Sequence, residues 1–315
     1  MTAPDSTSPD LLCLGEPLLE FNQLPEGGLY KAGFGGDTSN TAIAAARQGA
    51  RAGYLTALGA DHFGDDLMAL WEREGVDASR VRRVSDAPTG IYFVTHGADG
   101  HRFHYYRAGS AASRMVPADL PLDYLQRVKL LHVSAISQAI SETAAETVSA
   151  AIDIAKAAGA RICYDTNLRL ALWPLERARP VIEATIRKAD ILRPALDDSQ
   201  KITGLEDADA ILDHYLGMGP GLVVMTMGKD GVLLGTRQGG RHRLAAHRVA
   251  AVDATGAGDA FNGAFLARLL AGDPPIEAAR YANAAAALST TGYGAVAPVP
   301  RPAEIRQFLK AGGSA

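Results

Sequence analysis

The stretch Asp253-Ala254-Thr255-Gly256-Ala257-Gly258-Asp259-Ala260-Phe261 sets two carboxylates around a Gly-Ala-Gly turn. An amphipathic stretch follows at once, with Phe261, Phe265 and Leu269 recurring at helical spacing. Glycines ahead of a helix let backbone N–H groups point at one spot, and the helix N-terminus adds positive potential there. The product is an anion hole built from Gly256, Ala257 and Gly258. A carboxylate at its lip repels a bound phosphate, unless its task is to take a proton from a nucleophile attacking that phosphate. Asp259 reads as that base. A dinucleotide fingerprint fails here, because Phe261 stands where the third glycine belongs. A Walker-type loop fails at Gly228-Lys229-Asp230, where Asp replaces the metal-binding Ser or Thr and Val223 the first glycine. A plain glycine turn capping a core helix is the remaining alternative.

Outward from this segment, short apolar runs alternate with helical patterns. Strands are expected at Leu11–Leu14, Gly53–Leu58, Leu130–Ser134, Arg161–Asp165, Ile191–Arg193, Leu222–Met227 and Val232–Gly235. Helices are expected at Ser39–Gln48, Phe63–Glu74, Ser141–Ala158, Pro180–Ala189, Asp197–Ile202 and Ala208–Leu216, several stopping at a glycine such as Gly49, Gly75, Gly159 or Gly272. The alternation predicts a doubly wound α/β domain with a mostly parallel sheet between helices. Two stretches break it. Gly90–Arg107 alternates with period two around Gly97-Ala98-Asp99-Gly100, and Leu18–Gly35 is extended with a turn near Pro25-Glu26-Gly27-Gly28. Together they predict a small β-sheet lid over a cleft, which excludes water. The domain is expected to span residues 10–312, with residues 1–9 a disordered tail.

The chain has 315 residues, 47% of them hydrophobic, which suits one large domain, or one domain with an appendage. A net charge of −4 without long basic runs gives no reason to expect nucleic acid. No apolar run approaches the ~20 residues of a membrane helix, and the start lacks an apolar signal core. Cys13 and Cys163 lie in apolar runs and read as buried reduced thiols, which fits a cytoplasmic location. His101 and His104 lack a third ligand nearby and read as lid residues rather than metal ligands.

A second glycine cluster, Gly33-Phe34-Gly35-Gly36-Asp37-Thr38-Ser39-Asn40, ends the first hairpin and opens a helix of small residues. Glycines there let backbone approach a ligand, and Asp37 and Asn40 offer hydrogen bonds to hydroxyls. Capping by Ser39 or Asp37 is the structural alternative. Gly35-Gly36 with Asn40, followed late in the chain by Asp253-x-Thr255-Gly-Ala-Gly-Asp259, resembles the two signatures of the ribokinase-like (PfkB-type) carbohydrate kinases. Thr226-Met227-Gly228-Lys229-Asp230-Gly231 resembles their nucleotide-binding segment. The resemblance implies a kinase using ATP and Mg2+, with Asp259 as base. It implies nucleotide contacts at Asn167, Thr226, Gly228, Lys229, Gly231, Gly256 and Asn283. It further implies a monovalent cation, K+, near Asp253 and Thr255, and a homo-oligomer formed through the lid.

Tyr105-Tyr106-Arg107-Ala-Gly109-Ser110 and Asp165-Thr-Asn167-Leu-Arg169-Leu-Ala-Leu172-Trp173 are similar to segments of 2-keto-3-deoxygluconate kinases within that family. A sugar acid carries a carboxylate, and arginine presents a matching planar fork worth about 1.5–3 kcal/mol per charge-assisted bond. Arg107 and Arg169 are therefore the expected carboxylate readers, and Gly35, Gly36, Asn40, Tyr92 and Tyr105 the implied sugar contacts. A neutral-sugar kinase acting on fructose or ribose, and a non-catalytic sugar sensor, are the rival readings. Many relatives carry Asn-x-x-Glu where this chain has Ala195-Leu196-Asp197-Asp198. Asp198 is left to act on magnesium through water.

Overall fold

The structure is a computed structural model that describes residues 8–24, 27–97 and 100–312. Most of the expected tail, and the tips of both expected hairpin turns at Pro25-Glu26 and Ala98-Asp99, lie outside the described residues; Pro9 is buried. The strands are β1 (Leu11–Leu14), β2 (Leu18–Gln23), β3 (Tyr30–Gly35), β4 (Ala52–Leu55), β5 (Ala57–Gly59), β6 (Arg82–Val84), β7 (Ile91–Gly97), β8 (Gly100–Tyr106), β9 (Leu130–Ser134), β10 (Arg161–Asp165), β11 (Ile191–Arg193), β12 (Leu222–Thr226), β13 (Val232–Thr236) and β14 (Arg241–Leu244). The helices are α1 (Asp37–Arg47), α2 (His62–Glu74), α3 (Leu122–Leu125), α4 (Ala135–Ala139), α5 (Glu142–Ala157), α6 (Leu175–Ile186), α7 (Leu196–Thr203), α8 (Ala208–Met218), α9 (Ala257–Leu270), α10 (Pro275–Ser289) and α11 (Pro302–Lys310).

The eight-stranded main sheet runs β14-β13-β12-β11-β10-β9-β1-β4. It is parallel from β4 through β12, and β13 and β14 join antiparallel. Strand β1 shows why. All four of its residues are buried, and its side chains alternate between the two cores: Leu11 and Cys13 face one, Leu12 and Leu14 the other. A strand covered on both faces reads as a continuous apolar run. The first core packs α1, α2, α9, α10 and α11 on one side; the second packs α5, α6 and α8 on the other. The chain leaves β1 toward β4 and returns to β9 on its other side. The crevice beyond the carboxyl ends of β1, β9 and β10 is thus a topological switch point, where such sheets hold ligands.

The lid is a four-stranded sheet, β3-β2-β7-β8, with β2 and β7 parallel and the outer pairs antiparallel. Three expectations change. The run Gly53–Leu58 divides at buried Thr56 into β4 and β5, and β5 pairs with β6 in a separate two-stranded sheet. Helix α6 starts five residues before Pro180, because Pro174 caps it and accepts from the Arg177 and Ala178 N–H groups at 3.1 and 2.9 Å. Strand β14 was not expected: Arg241-His242-Arg243-Leu244 is a polar edge strand with Leu244 alone buried.

Candidate active site

Helix α9 is capped by Gly256, whose φ of 74° is left-handed and whose absent Cβ would lie 2.7 Å from the Ala295 Cβ. Both facts call for glycine at that position. The Ala257 N–H donates to the Ala254 carbonyl at 3.1 Å, and the Ala260 N–H to the Gly256 carbonyl at 2.8 Å. This leaves the Gly258 and Asp259 amides as the open donors that a helix N-terminus presents. Of the expected three-residue anion hole the Ala257 amide is already used, and the first turn adds the Asp259 amide beside that of Gly258.

Asp259 sits in that first turn, buried, and its Oδ2 accepts from Asn40 Nδ2 at 2.9 Å. Burial is the largest influence on its carboxyl and raises its pKa well above the usual range; the Asp37 charge adds to this, while Asn40 and Arg169 oppose it. The buried Asn40 Oδ1 has no hydrogen-bond partner. The pair thus offers a proton acceptor and an open carbonyl oxygen side by side, which suits a polyhydroxyl ligand. Helices α1 and α9 can bring these residues together because Gly263 lets their backbones touch: a Cβ there would lie 2.6 Å from the Thr41 carbonyl oxygen.

Beside them runs a chain of buried and half-buried polar groups, of which sequence reasoning missed Arg193 and Asn262. Arg193 Nε donates to Asn262 Oδ1 at 2.7 Å, and Asn262 Nδ2 donates to Asp165 Oδ2 at 2.6 Å. Asp165 Oδ1 accepts from the Asn167 N–H, and Asn167 Nδ2 donates to Asp37 Oδ2, both at 3.0 Å. Arg193 also donates to the Val224 carbonyl and lies 4.1 Å from the Phe261 ring centroid. Burial lowers the Arg193 pKa only to about 10, so it stays charged near neutrality and balances Asp165. Asn167, which the resemblance grouped with the nucleotide, is held here on the Asp37 side. The available signal was a single charged residue closing each of two apolar runs, Asp165 and Arg193.

The lid brings Tyr92 and Tyr105 together at 5.5 Å between ring centroids. Tyr92 donates its hydroxyl to buried Glu20 and covers Gly35, where a Cβ would meet the Tyr92 hydroxyl oxygen at 2.6 Å. Gly36 caps α1. Arg107 does not stand open. Its Nε donates to Glu16 Oε2 at 2.6 Å, and its Nη2 lies 2.5 Å from the same oxygen. Arg169 is half exposed and 4.0 Å from Asp198 Oδ2, a loose pairing. Asp198 accepts from the Leu168 N–H at 3.0 Å, and burial followed by the Asp197 charge pushes its pKa up to about 6.

The other expected residues gather elsewhere along the sheet. Thr226 closes β12, and Gly228, Lys229 and Gly231 form the turn into β13. Gly231 abuts the Leu244 carbonyl, and Asn283 Nδ2 donates to the neighbouring Ala245 carbonyl at 2.8 Å. Asn283 lies inside α10. Asp253 accepts from the Thr255 and Gly294 N–H groups, each at 2.9 Å, and so ties two loops. Among the described residues no three His, Cys, Asp or Glu side chains converge as a metal cage. A buried carboxylate with a raised pKa still fits a divalent cation, which relieves the cost of ionising it. Asp198 meets that test.

A doubly wound sheet with a lid, an acid beside open helix amides and a buried asparagine with an unpartnered side-chain oxygen suit a phosphotransferase with an alcohol acceptor. Residues 8–302 match the pfkB family carbohydrate kinase, and the chain belongs to that family. It is similar to the 2-dehydro-3-deoxygluconokinase of Thermoproteus tenax, 36% identical over 96% of this chain and 94% of that one. It is similar also to fructokinase-1 of Zea mays, 34% identical over 95% of this chain and 97% of that one. Among solved structures, the fructokinase of Xylella fastidiosa with bound ATP superposes with a TM-score of 0.88 at 26% identity, covering 96% and 98% of the two chains.

Proposed function

We propose that this kinase transfers the terminal phosphoryl group of ATP to the terminal hydroxyl of 2-keto-3-deoxygluconate, giving the 6-phosphate. The observation that carries the acid-sugar reading is Arg169, a half-exposed guanidinium near Asp259 whose own acidic neighbour is 4.0 Å away. A substrate carboxylate would complete that pairing. The similarity to a 2-dehydro-3-deoxygluconokinase supports the same reading.

The chemistry follows from the first turn of α9. Asp259, steered by Asn40, accepts the proton of the attacking hydroxyl. The Gly258 and Asp259 amides face the charge on the transferring group. Gly35, Gly36, Tyr92 and Tyr105 enclose the sugar, with Arg107 at the lid's base. The turn Thr226–Gly231 and Asn283 border the nucleotide. Magnesium, when bound with ATP, neutralises phosphate charge, and Asp198 is the residue to hold it through water. Asp253 and Thr255 border the loops a potassium ion would bridge. We assign the lid's exposed Leu29, Tyr30, Phe103 and Tyr106 to contact with a second copy.

One observation favours fructose as an alternative: Glu16 neutralises Arg107, which weakens the case for two carboxylate readers. A coupled ADP-release assay over fructose, ribose, 2-keto-3-deoxygluconate and its galactonate epimer decides. Turnover on the sugar acids at least tenfold above fructose in kcat/KM supports the proposal, and the reverse order refutes it.

A further inference from the structure

Four chain segments cross between body and lid: residues 15–17 after β1, residue 36 between β3 and α1, residues 85–90 ahead of β7, and residues 107–111 after β8. Glu16 touches all of them. It lies on the first crossing. Its carbonyl oxygen would be 2.5 Å from a Cβ at Gly36 on the second, and its Oε1 2.8 Å from a Cβ at Gly90 on the third. On the fourth, Ser110 Oγ donates to Oε1 at 2.5 Å and Arg107 Nε to Oε2 at 2.6 Å. Glu16 is 2% exposed. A carboxylate so enclosed survives only when paired and hydrogen-bonded, and Arg107 with Ser110 supply both needs.

We infer that Glu16 is a positioning residue: it joins the four crossings into one hinge and holds Arg107 in a single orientation at the base of the lid. The inference rests on reading the lid as the cover of the sugar site. Arg107 spends its Nε edge on Glu16 and stacks 5.6 Å from the Tyr105 ring centroid, so it is an oriented donor and not a mobile cation. The pair is neutral, and net attraction for an anionic sugar falls to Arg169. Without the Glu16 charge, the lid loses its fastening and Arg107 its orientation together.

The test has two readouts, and the first needs no substrate. In the ligand-free protein, Glu16→Gln should speed amide hydrogen exchange in β2, β3, β7 and β8 together, with β9, β10 and β12 unchanged. Kinetically, Glu16→Gln should raise the sugar KM roughly tenfold, the size expected for one charge-assisted bond, and leave the ATP KM within about twofold. Arg107→Met should do the same, and the double variant should be no worse than either single one. Lid exchange matching the wild type, or a double variant whose KM effects multiply, overturns the inference. If Glu16→Gln does not fold, Ser110→Ala replaces it, with the same pattern at smaller size. A protein that phosphorylates only fructose is run through the same cycle with fructose, so failure of the substrate reading leaves this result legible.

Discussion

Replacing Gly263 by alanine sets a methyl group into the contact between α1 and α9. That methyl would lie 2.4 Å from the Ala44 Cβ, and 2.6 Å from both the Ala45 nitrogen and the Thr41 carbonyl oxygen. Two of these neighbours are backbone, so no side chain can turn aside. Ordinary contact begins at 3.4 Å, and the helices must part by about 1 Å. The 2.9 Å bond between Asn40 and Asp259 spans the same two helices and would stretch beyond hydrogen-bonding reach. Overpacking of this kind costs about 1–3 kcal/mol, and a 1 Å misplacement of reacting groups costs on the order of 10²-fold in rate. We therefore expect Gly263→Ala to lose several degrees of thermal midpoint and ~10²-fold in kcat, with the ATP KM little changed. The control is Gly217→Ala in α8, where a Cβ meets nothing within 4 Å. There the same substitution should stabilise by about 0.5–1 kcal/mol and leave kcat alone. Coupled ADP release and differential scanning fluorimetry read both variants. Wild-type kcat in a folded Gly263→Ala protein would refute the claim that the helix contact sets the catalytic pair.

Asp259→Asn should lower kcat by at least ~10²–10⁴-fold with nucleotide affinity intact, measured by turnover and by calorimetric titration of ATP. Arg169→Ala should raise the KM for the sugar acid far more than for fructose; equal effects on both would remove Arg169 as the carboxylate reader. Asp259 accepts a proton only when ionised, and its pKa is raised by burial first and the Asp37 charge next. The acid limb of log kcat against pH should therefore lie above the ordinary carboxylate range near ~4, and Asp37→Asn should move it down. Asp198 has a folded pKa of about 6 against 3.8 unperturbed, so the native state binds more protons between those values and loses stability as pH rises through them. In urea titrations without magnesium, Asp198→Asn should flatten that fall and be at least as stable as the wild type at pH 7, while its magnesium requirement in the assay rises.

Where meaning was local, the sequence was readable. Strands β1, β9, β10 and β11 fall where their runs were expected, because a strand covered on both faces is apolar nearly throughout; buried His132 in the middle of β9 is the exception. The glycine turn before α9 was readable for the same reason: helix start, left-handed backbone and acid all lie within seven residues. Polar edges were not, as β14 shows, since Arg241-His242-Arg243 carries no apolar period. The buried network was hidden by distance along the chain. Arg193 and Asn262 are 69 residues apart, and Glu16 and Arg107 are 91 apart. Each looks like an ordinary surface residue until the fold supplies its partner. The same blindness affected Arg107, whose Nε is fastened to Glu16.

A crystal structure with a non-hydrolysable ATP analogue and the sugar tests the central claim most directly. The terminal phosphate should accept from the Gly258 and Asp259 amides at about 2.7–3.1 Å, with the acceptor hydroxyl within hydrogen-bonding reach of Asp259. A terminal phosphate lodged away from the first turn of α9, or a sugar hydroxyl oriented toward some other base, would contradict the account.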